Sequence, residues 1–469
     1  MIKITFPILV TFLLLTATIV GIGRTTIDID NQSYDNIDQM NSCWKNTPPF
    51  PIRQPAEFEP MQGVLIRYPF GIPYSLIAEI AEAVELVTIV ANSTEQNYVE
   101  TLYISNGINL DNCSFLIAPS NRIWTRDYGP WFIFTGDNEF AVVDFKYSFL
   151  FRFSDNAIPG EYANDQNLSL FRMPLIHEGG NYMTDGQGIA ISTNLVWAQN
   201  LFRRRSKIEQ ITYDYLGIQK YHIVLDANGY LNPVKKHIDC WAKFLAPDVI
   251  MIRKVPQYRI RLFIRMEAAV KYFEAKTSCY GTPYKIVRIY TPNDEPYINS
   301  LILNNKVFVP LTGGEWDDEA IETYEKAMPG YEVLGFRGFW KSVDAIHCRT
   351  KGIPDRYMLY IEHMPLLKNQ SFSENGYEIQ AKIVPYSGEK LIANSTLLYW
   401  KAEGSNWNYL QMEYREDNYY TATIPPQKIG TKVYYYIHAE DFSGRKENHP
   451  YIGAPWAHSF TIDSYYITP

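Results

Sequence analysis

The chain has only five cysteines in 469 residues, Cys43, Cys113, Cys240, Cys279 and Cys348, and no two of them stand in a C-x-x-C pair. A structural zinc site is therefore not expected. Basic charge is not in surplus either. Lys and Arg number 43 against 51 Asp and Glu, a formal net charge of −8. That argues against nucleic acid as the main partner, because phosphate binding needs a basic face. No low-complexity tract or sequence repeat is visible, and only one apolar run approaches membrane-spanning length. What remains is the composition of a globular protein, 46% hydrophobic and 20% charged, in a chain too long for one ordinary domain.

The one long apolar run extends from Ile4 to Ile22, between Lys3 and Arg24. Its strongest part, Phe6 to Leu15, has the length of a signal-peptide core. The whole run, about 19 residues, would also just span a bilayer as an uncleaved anchor. Residues 1–23 are thus expected to be a signal peptide or N-terminal anchor, making the protein secreted or cell-surface and its only membrane contact this segment. An odd cysteine count in an exported chain leaves at least one thiol without an intramolecular partner. Residues 24–50, polar and followed by a proline-rich stretch, read as a linker or arm.

From residue 51 to 366 short apolar runs alternate with helical patterns. Val64–Tyr68, Val87–Ala91, Phe140–Phe145, Tyr221–Leu225, Val249–Arg253, Ile286–Tyr290, Lys306–Pro310 and Tyr357–Glu362 read as strands. Tyr74–Val84, Lys207–Leu216, Arg261–Lys276 and Asp317–Ala327 read as helices, the last opening on three acids suited to a helix N-terminus. This alternation predicts an α/β domain. From 370 to 469 only short strands and turns follow, the pattern of an all-β, immunoglobulin-like sandwich. That module holds no chemical motif, so a chain ending near Leu367 is expected to keep its intrinsic rate.

Four patches concentrate polar residues beside apolar strands. In Trp124-Thr-Arg126-Asp127-Tyr-Gly129-Pro130-Trp131, Asp127 falls where a strand gives way to a turn, and reads equally as an Asx-turn residue. In His177-Glu178-Gly179-Gly180-Asn181 the paired glycines let backbone approach a ligand or another strand, and the acid beside them binds a cation or caps a turn. In His237-Ile238-Asp239 a strand would project histidine and aspartate from one face, joining a proton carrier to a carboxylate, though a single H-x-D also arises by chance or as a metal-ligand pair. In Ala345-Ile346-His347-Cys348-Arg349 the cysteine is a buried small hydrophobe or, with a histidine elsewhere, a nucleophile.

In this order, the four patches closely resemble the bacterial-type peptidylarginine deiminases, relatives of agmatine deiminases and other guanidino-group-modifying enzymes. The resemblance runs from about Pro60 to Glu362 and includes Asn299 in Glu295-Pro-Tyr-Ile-Asn299-Ser. It implies a five-bladed α/β propeller of pentein type, with the active site in its central channel, followed by the immunoglobulin-like module. By the same resemblance Cys348 would be the nucleophile, His237 the general acid and base, and Asp127 and Asp239 the carboxylates that clamp the guanidinium. Trp124 would line the channel and Asn299 would assist near the nucleophile. The implied reaction converts peptidyl-arginine to citrulline and ammonia without metal or organic cofactor.

The substrate end of the pattern departs from the peptidyl enzymes. Where those grip a terminal carboxylate with two arginines and a tyrosine, this chain has Phe149, Phe151 and Val234, with Arg152, Lys235 and Lys236 the nearest basic residues. Glu178 is more like the agmatine-type enzymes, where an acid meets a second cation. The export signal and the sandwich module nonetheless put arginine-containing peptides or proteins first as partners and a small guanidino compound such as agmatine second. A non-catalytic cell-surface binding protein on the same scaffold is the third reading.

Overall fold

Five sheets built to one plan make up the first three-quarters of the molecule in the computed structural model, which describes residues 47–148, 152–229, 237–366 and 368–464. The apolar leader, most of the arm, Cys43, Phe149, Phe151, Val234, Lys235, Lys236 and Leu367 lie outside the described residues. In each unit a short strand pairs antiparallel with a middle strand. A helical crossover then leads to a third strand parallel to the middle one. The second unit is Trp131–Phe134, Phe140–Tyr147 and Leu170–His177, and the third is Met183–Thr184, Ile189–Thr193 and Lys220–Val224. The fourth is Ala242–Ala246, Val249–Lys254 and Lys285–Tyr290, and the fifth Leu301–Leu303, Lys306–Leu311 and Glu332–Arg337. The first unit is completed from the far end of the region. Met61–Arg67 runs parallel to Glu85–Val90 and antiparallel to Lys351–Pro354, with Cys113–Ile117 added outside. The repeat that the sequence hides is thus structural, because what recurs is apolar patterning rather than residue identity.

The crossovers form where apolar positions recur at helical spacing. In Ile260–Glu274 the buried face is Leu262, Met266, Ala269, Val270 and Phe273. Arg205–Leu216 stops at Gly217, whose φ of 70° is the left-handed conformation glycine adopts at little cost. The helix Phe153–Asp165 escapes sequence reading because Pro159 and Gly160 interrupt its pattern, yet Ile158, Tyr162 and Ala163 are buried along one side.

Two further sheets follow. Leu359–His363, Tyr377–Pro385, Tyr419–Ile424 and Glu413–Tyr414 form one, while Asn369–Ser371, His458–Asp463, Lys432–Glu440, Leu397–Ala402 and Asn408–Gln411 form the other, with Lys446–His449 on Lys432–Glu440. Ile361, Ile379, Ile383, Leu398, Ile424, Tyr435, Ile437 and Phe460 share one buried core. The strand read as the last of the α/β region, Leu359–His363, therefore belongs to this all-β part, paired residue for residue with Ala381–Pro385. Arg445 also reaches back to Asp355 through a two-pronged ion pair at 2.6 and 2.8 Å.

Candidate active site

The same place in each structural unit, the turn just before its short first strand, carries one of the sequence motifs. Asp127 sits in the single helical turn Thr125–Tyr128 before Trp131–Phe134. Glu178 opens the turn Gly179–Asn181 before Met183–Thr184. His237 and Asp239 lie at the turn Ile238–Cys240 before Ala242–Ala246, and Asn299 precedes Leu301–Leu303. Cys348 lies in the turn His347–Arg349 before Lys351–Pro354. Two local expectations are corrected here. His237 and Asp239 are not on a strand, and Asp127 lies in a helical turn that leads into a strand rather than at the end of one. A turn bends the backbone so that neighbouring side chains converge, which alternation along a strand would not achieve.

Convergence is sharpest at Gly180. A Cβ placed there would lie 2.7 Å from Asp127 Oδ1, 2.7 Å from His237 Nδ1 and 3.0 Å from Asp239 Oδ2. Three catalytic candidates thus face one another across a position only glycine fits. A Cβ on Gly179 would collide with the carbonyl oxygen of Arg126. The pair of glycines is what lets the motifs before the second, third and fourth sheets close on one another.

His237 is 1% exposed and is flanked by two acids. Its Nε2 is 2.7 Å from Glu178 Oε2 and its Nδ1 3.4 Å from Asp127 Oδ1. Burial disfavours the charged ring, but Asp127 and Glu178 outweigh that and push the His237 pKa up to about 9. Glu178 also accepts hydrogen bonds from Ser148 and Gln199. Despite burial, His237 and these donors hold its carboxyl below the usual range. The Glu178 carboxylate thus holds His237 from one side while Ser148 and Gln199 hold the carboxylate.

Asn299 splints the turn that carries Cys348. Its Oδ1 accepts from the Ala345 and Cys348 amides at 3.0 and 3.2 Å. Its Nδ2 reaches Cys348 Sγ at 3.3 Å and the Asp239 carbonyl at 3.2 Å. Cys348 Sγ lies 3.5 Å from Asp239 Oδ2, so the thiol can donate to the carboxylate. Arg349 locks the far side of the turn through two hydrogen bonds to Asp344, at 2.9 and 3.1 Å, and packs against Trp340.

A second charged cluster, absent from the sequence reading, adjoins Asp239. His347 Nδ1 is 2.8 Å from Asp239 Oδ2, and its Nε2 is 2.7 Å from Glu57 Oε2. Glu57 also meets Lys243 at 2.6 Å and Arg126 at 2.8 Å. Burial works against ionising both acids. His347, with His237 and Arg126, nonetheless brings Asp239 down to about 2, and Lys243, His347 and Arg126 hold Glu57 well below its ordinary value. Glu57 was missed because it lies in a proline-rich stretch with no periodicity. His347 was passed over as a neighbour of the cysteine.

Trp124 and Arg152 are placed less centrally. Trp124 is half-buried one turn before Asp127, under the guanidinium of Arg122. Arg152 precedes the helix Phe153–Asp165, and its charge acts on Asp155. Among the described residues no ion pair joins Arg152 to the catalytic candidates. Asp127, Glu178 and His237 offer ligand atoms within 4.8 Å of one another, a spacing that could hold a metal ion. The hydrogen bond between His237 and Glu178 occupies two of those three groups with each other.

A fold of five such units, with cysteine, histidine and carboxylates gathered from their equivalent turns, defines an enzyme of the guanidino-group-modifying class. The family model of the Porphyromonas-type peptidyl-arginine deiminases matches residues 53–354, and the chain belongs to that family. The match starts at Arg53 and so takes in Glu57, while the two C-terminal sheets fall outside it. Over 380 residues the chain is 23% identical to the agmatine deiminase of Medicago truncatula, covering 66% of this chain and 98% of the relative. Among solved structures, the agmatine deiminase of Enterococcus faecalis superposes with a TM-score of 0.58 at 20% identity, over 66% of this chain and 99% of its own. A provisionally named arginine deiminase of Porphyromonas gingivalis gives 0.58 at 19% identity, over 65% and 99%. The mixed α/β fold is that of these deiminases.

Proposed function

We propose that the protein hydrolyses a guanidino group to a ureido group and ammonia, with Cys348 as nucleophile and His237 as proton carrier. The observation that carries this is the meeting of Asp127, His237 and Asp239 across Gly180, with the Cys348 thiol 3.5 Å from Asp239. A guanidinium is planar, and its N–H forks pair with carboxylates two bonds at a time. Asp127 and Asp239 can neutralise it and fix its plane, and its charge favours loss of the thiol proton. The Cys348 sulfur then bonds the central carbon as one C=N bond opens. Protonated His237 gives its proton to a nitrogen, the C–N bond breaks and ammonia leaves a thiouronium on Cys348. The neutral histidine next takes a proton from water as that water adds to the carbon. The C–S bond breaks as the adduct's hydroxyl proton passes to the departing sulfur, releasing the ureido product and restoring the Cys348 thiol and protonated His237. No cofactor takes part.

A small guanidino compound, with agmatine first, is the favoured substrate. The agmatine deiminases of Medicago and Enterococcus align over nearly their whole lengths with this chain's catalytic region. Peptidyl arginine is the second reading. It is supported by the description of the matching family and by the C-terminal all-β part, which lies outside the match. The same reading takes the five sheets as blades of a propeller, the two C-terminal sheets as an immunoglobulin-like sandwich and the N-terminal apolar run as an export leader.

The test is a colour assay for ureido product, with ammonia measured alongside, on agmatine, free arginine and arginine peptides. Turnover of agmatine above the others is expected. Product from peptides alone would reverse the order of substrates, and no product from any of them would refute the function.

A further inference from the structure

His347 has no part in the chemistry above, yet it is one of the most constrained side chains near the site. It is buried, with each ring nitrogen within 2.8 Å of a different carboxylate. One is Asp239, the proposed guanidinium clamp. The other is Glu57, anchored in turn by Lys243 and Arg126 and by the Ile302 amide at 3.0 Å. Glu57, Arg126, Lys243 and His347, with Lys351, line a cavity of about 70 Å³ that Asp239 borders.

We propose that His347 is a positioning residue for the deimination: its Nδ1 fixes the plane of the Asp239 carboxylate, and its Nε2 is held in place by Glu57. A clamp must be set to about half an ångström and 10–20° to align the central carbon with the sulfur. Asp239 on its own has two free torsions. His347 removes them by donating to Oδ2, the oxygen that Cys348 Sγ also approaches. Because His347 and Cys348 share one tight turn, the segment that places the nucleophile also sets the carboxylate opposite it. Burial and the Arg126 and Lys243 cations lower the His347 pKa against the pull of its two acids. The contact of Nε2 with Glu57 at 2.7 Å, on the opposite side of the ring, keeps Nδ1 facing Asp239.

This inference rests on the proposed roles of Cys348 and Asp239, and the test separates the two. An asparagine amide nitrogen takes the place of a histidine Nδ1, and a glutamine amide nitrogen that of Nε2. His347→Asn keeps the donor to Asp239, whereas His347→Gln keeps only the contact with Glu57. Both are compared with wild type in kcat and KM on the best guanidino substrate. A second measure is the rate at which Cys348 is labelled by cationic chloroacetamidine relative to neutral chloroacetamide, read by intact mass. His347→Gln is expected to raise KM and cut the cationic preference by about tenfold to a hundredfold, the loss of one charged hydrogen bond. His347→Asn should stay close to wild type. Glu57→Gln should shift the preference the same way by less, and carries the test if His347→Gln fails to fold. Equal losses in both His347 variants, better rescue by glutamine, or a wild-type preference in His347→Gln or in Glu57→Gln would overturn the proposal. A wild-type protein that neither turns over any guanidino compound nor labels with chloroacetamidine would instead refute the parent reading.

Discussion

Gly180 stands so close to His237 that a single added methyl group would lie 2.7 Å from the ring's Nδ1. Asp127 Oδ1 is equally near, so neither neighbour can move aside without displacing the other. Gly180→Ala should therefore spoil the site while the surrounding sheets survive. Misplacement of about 1 Å costs on the order of a hundredfold in rate. We expect kcat/KM to fall at least that far, with a melting temperature within a few degrees of wild type. Retained activity would place the reacting centre elsewhere.

Cys348→Ala should abolish turnover, because the proposed covalent intermediate forms on that sulfur. A haloacetamidine should label wild type at Cys348 alone among the described cysteines. Burial pushes the Cys113 thiol up to about 11 and raises Cys279 as well, leaving both poor nucleophiles at neutral pH. Peptide mapping of the labelled protein decides it. Label on Cys113, Cys240 or Cys279 at a comparable rate would reject the assignment.

The two acids beside His237 make stability depend on pH in a defined direction. Its folded-state pKa of about 9 stands above the ordinary 6.5, so the folded protein holds this proton more tightly than the unfolded chain. The stabilisation is complete below about pH 6.5, shrinks as pH rises and is gone above about 9. At about 1.4 kcal/mol per pKa unit it amounts to roughly 3 kcal/mol. Urea unfolding between pH 6 and 9 should show wild type losing that much more than His237→Gln. Parallel pH curves for the two proteins would contradict the charge state derived for the site.

Removing residues 369–464 should not leave a working catalytic fragment, contrary to what the motif positions alone suggest. Leu359 and Ile361 would lose the strand Tyr377–Pro385 that covers them, and Asp355 would lose Arg445. Each fully buried aliphatic side chain contributes about 1.5–3 kcal/mol, against a total stability of about 5–15 kcal/mol. Size-exclusion chromatography should show aggregate where the whole chain runs as a defined species. A monodisperse, active fragment would show that the all-β part is dispensable.

Four of the five middle strands and four of the helices were legible in the sequence because each is a largely apolar run or a clear helical stripe, whereas the third unit's middle strand, Ile189–Thr193, ends on Ser192 and Thr193 and was missed. The short first strands were not legible. Met183–Thr184 and Leu301–Leu303 are two and three residues long, too brief for any period to show. Cys348, His237, Asp127 and Asp239 could be picked out because the joint order of their motifs resembles that of the deiminases, although each motif alone reads equally well as structural. Glu57 could not, since an acid among prolines looks like any surface arm until a partner from the far end of the chain, His347, is seen against it. For Glu178 the identity of the residue was legible but its partner was not, because sequence shows that an acid is present and not which cation it faces.

The antiparallel pairing of Lys351–Pro354 with Met61–Arg67 has a temporal meaning. A ribosome delivers the first of these strands long before the second, and the cysteine turn is attached to the second. Until the two join, the thiol is held against neither Asn299 nor Asp239, and it is chemically an ordinary cysteine. Pairing between distant parts of a chain is the slow step of assembly. Reactivity toward a guanidinium should therefore emerge only when the first sheet receives its last strand, making the site its own timer of completed folding.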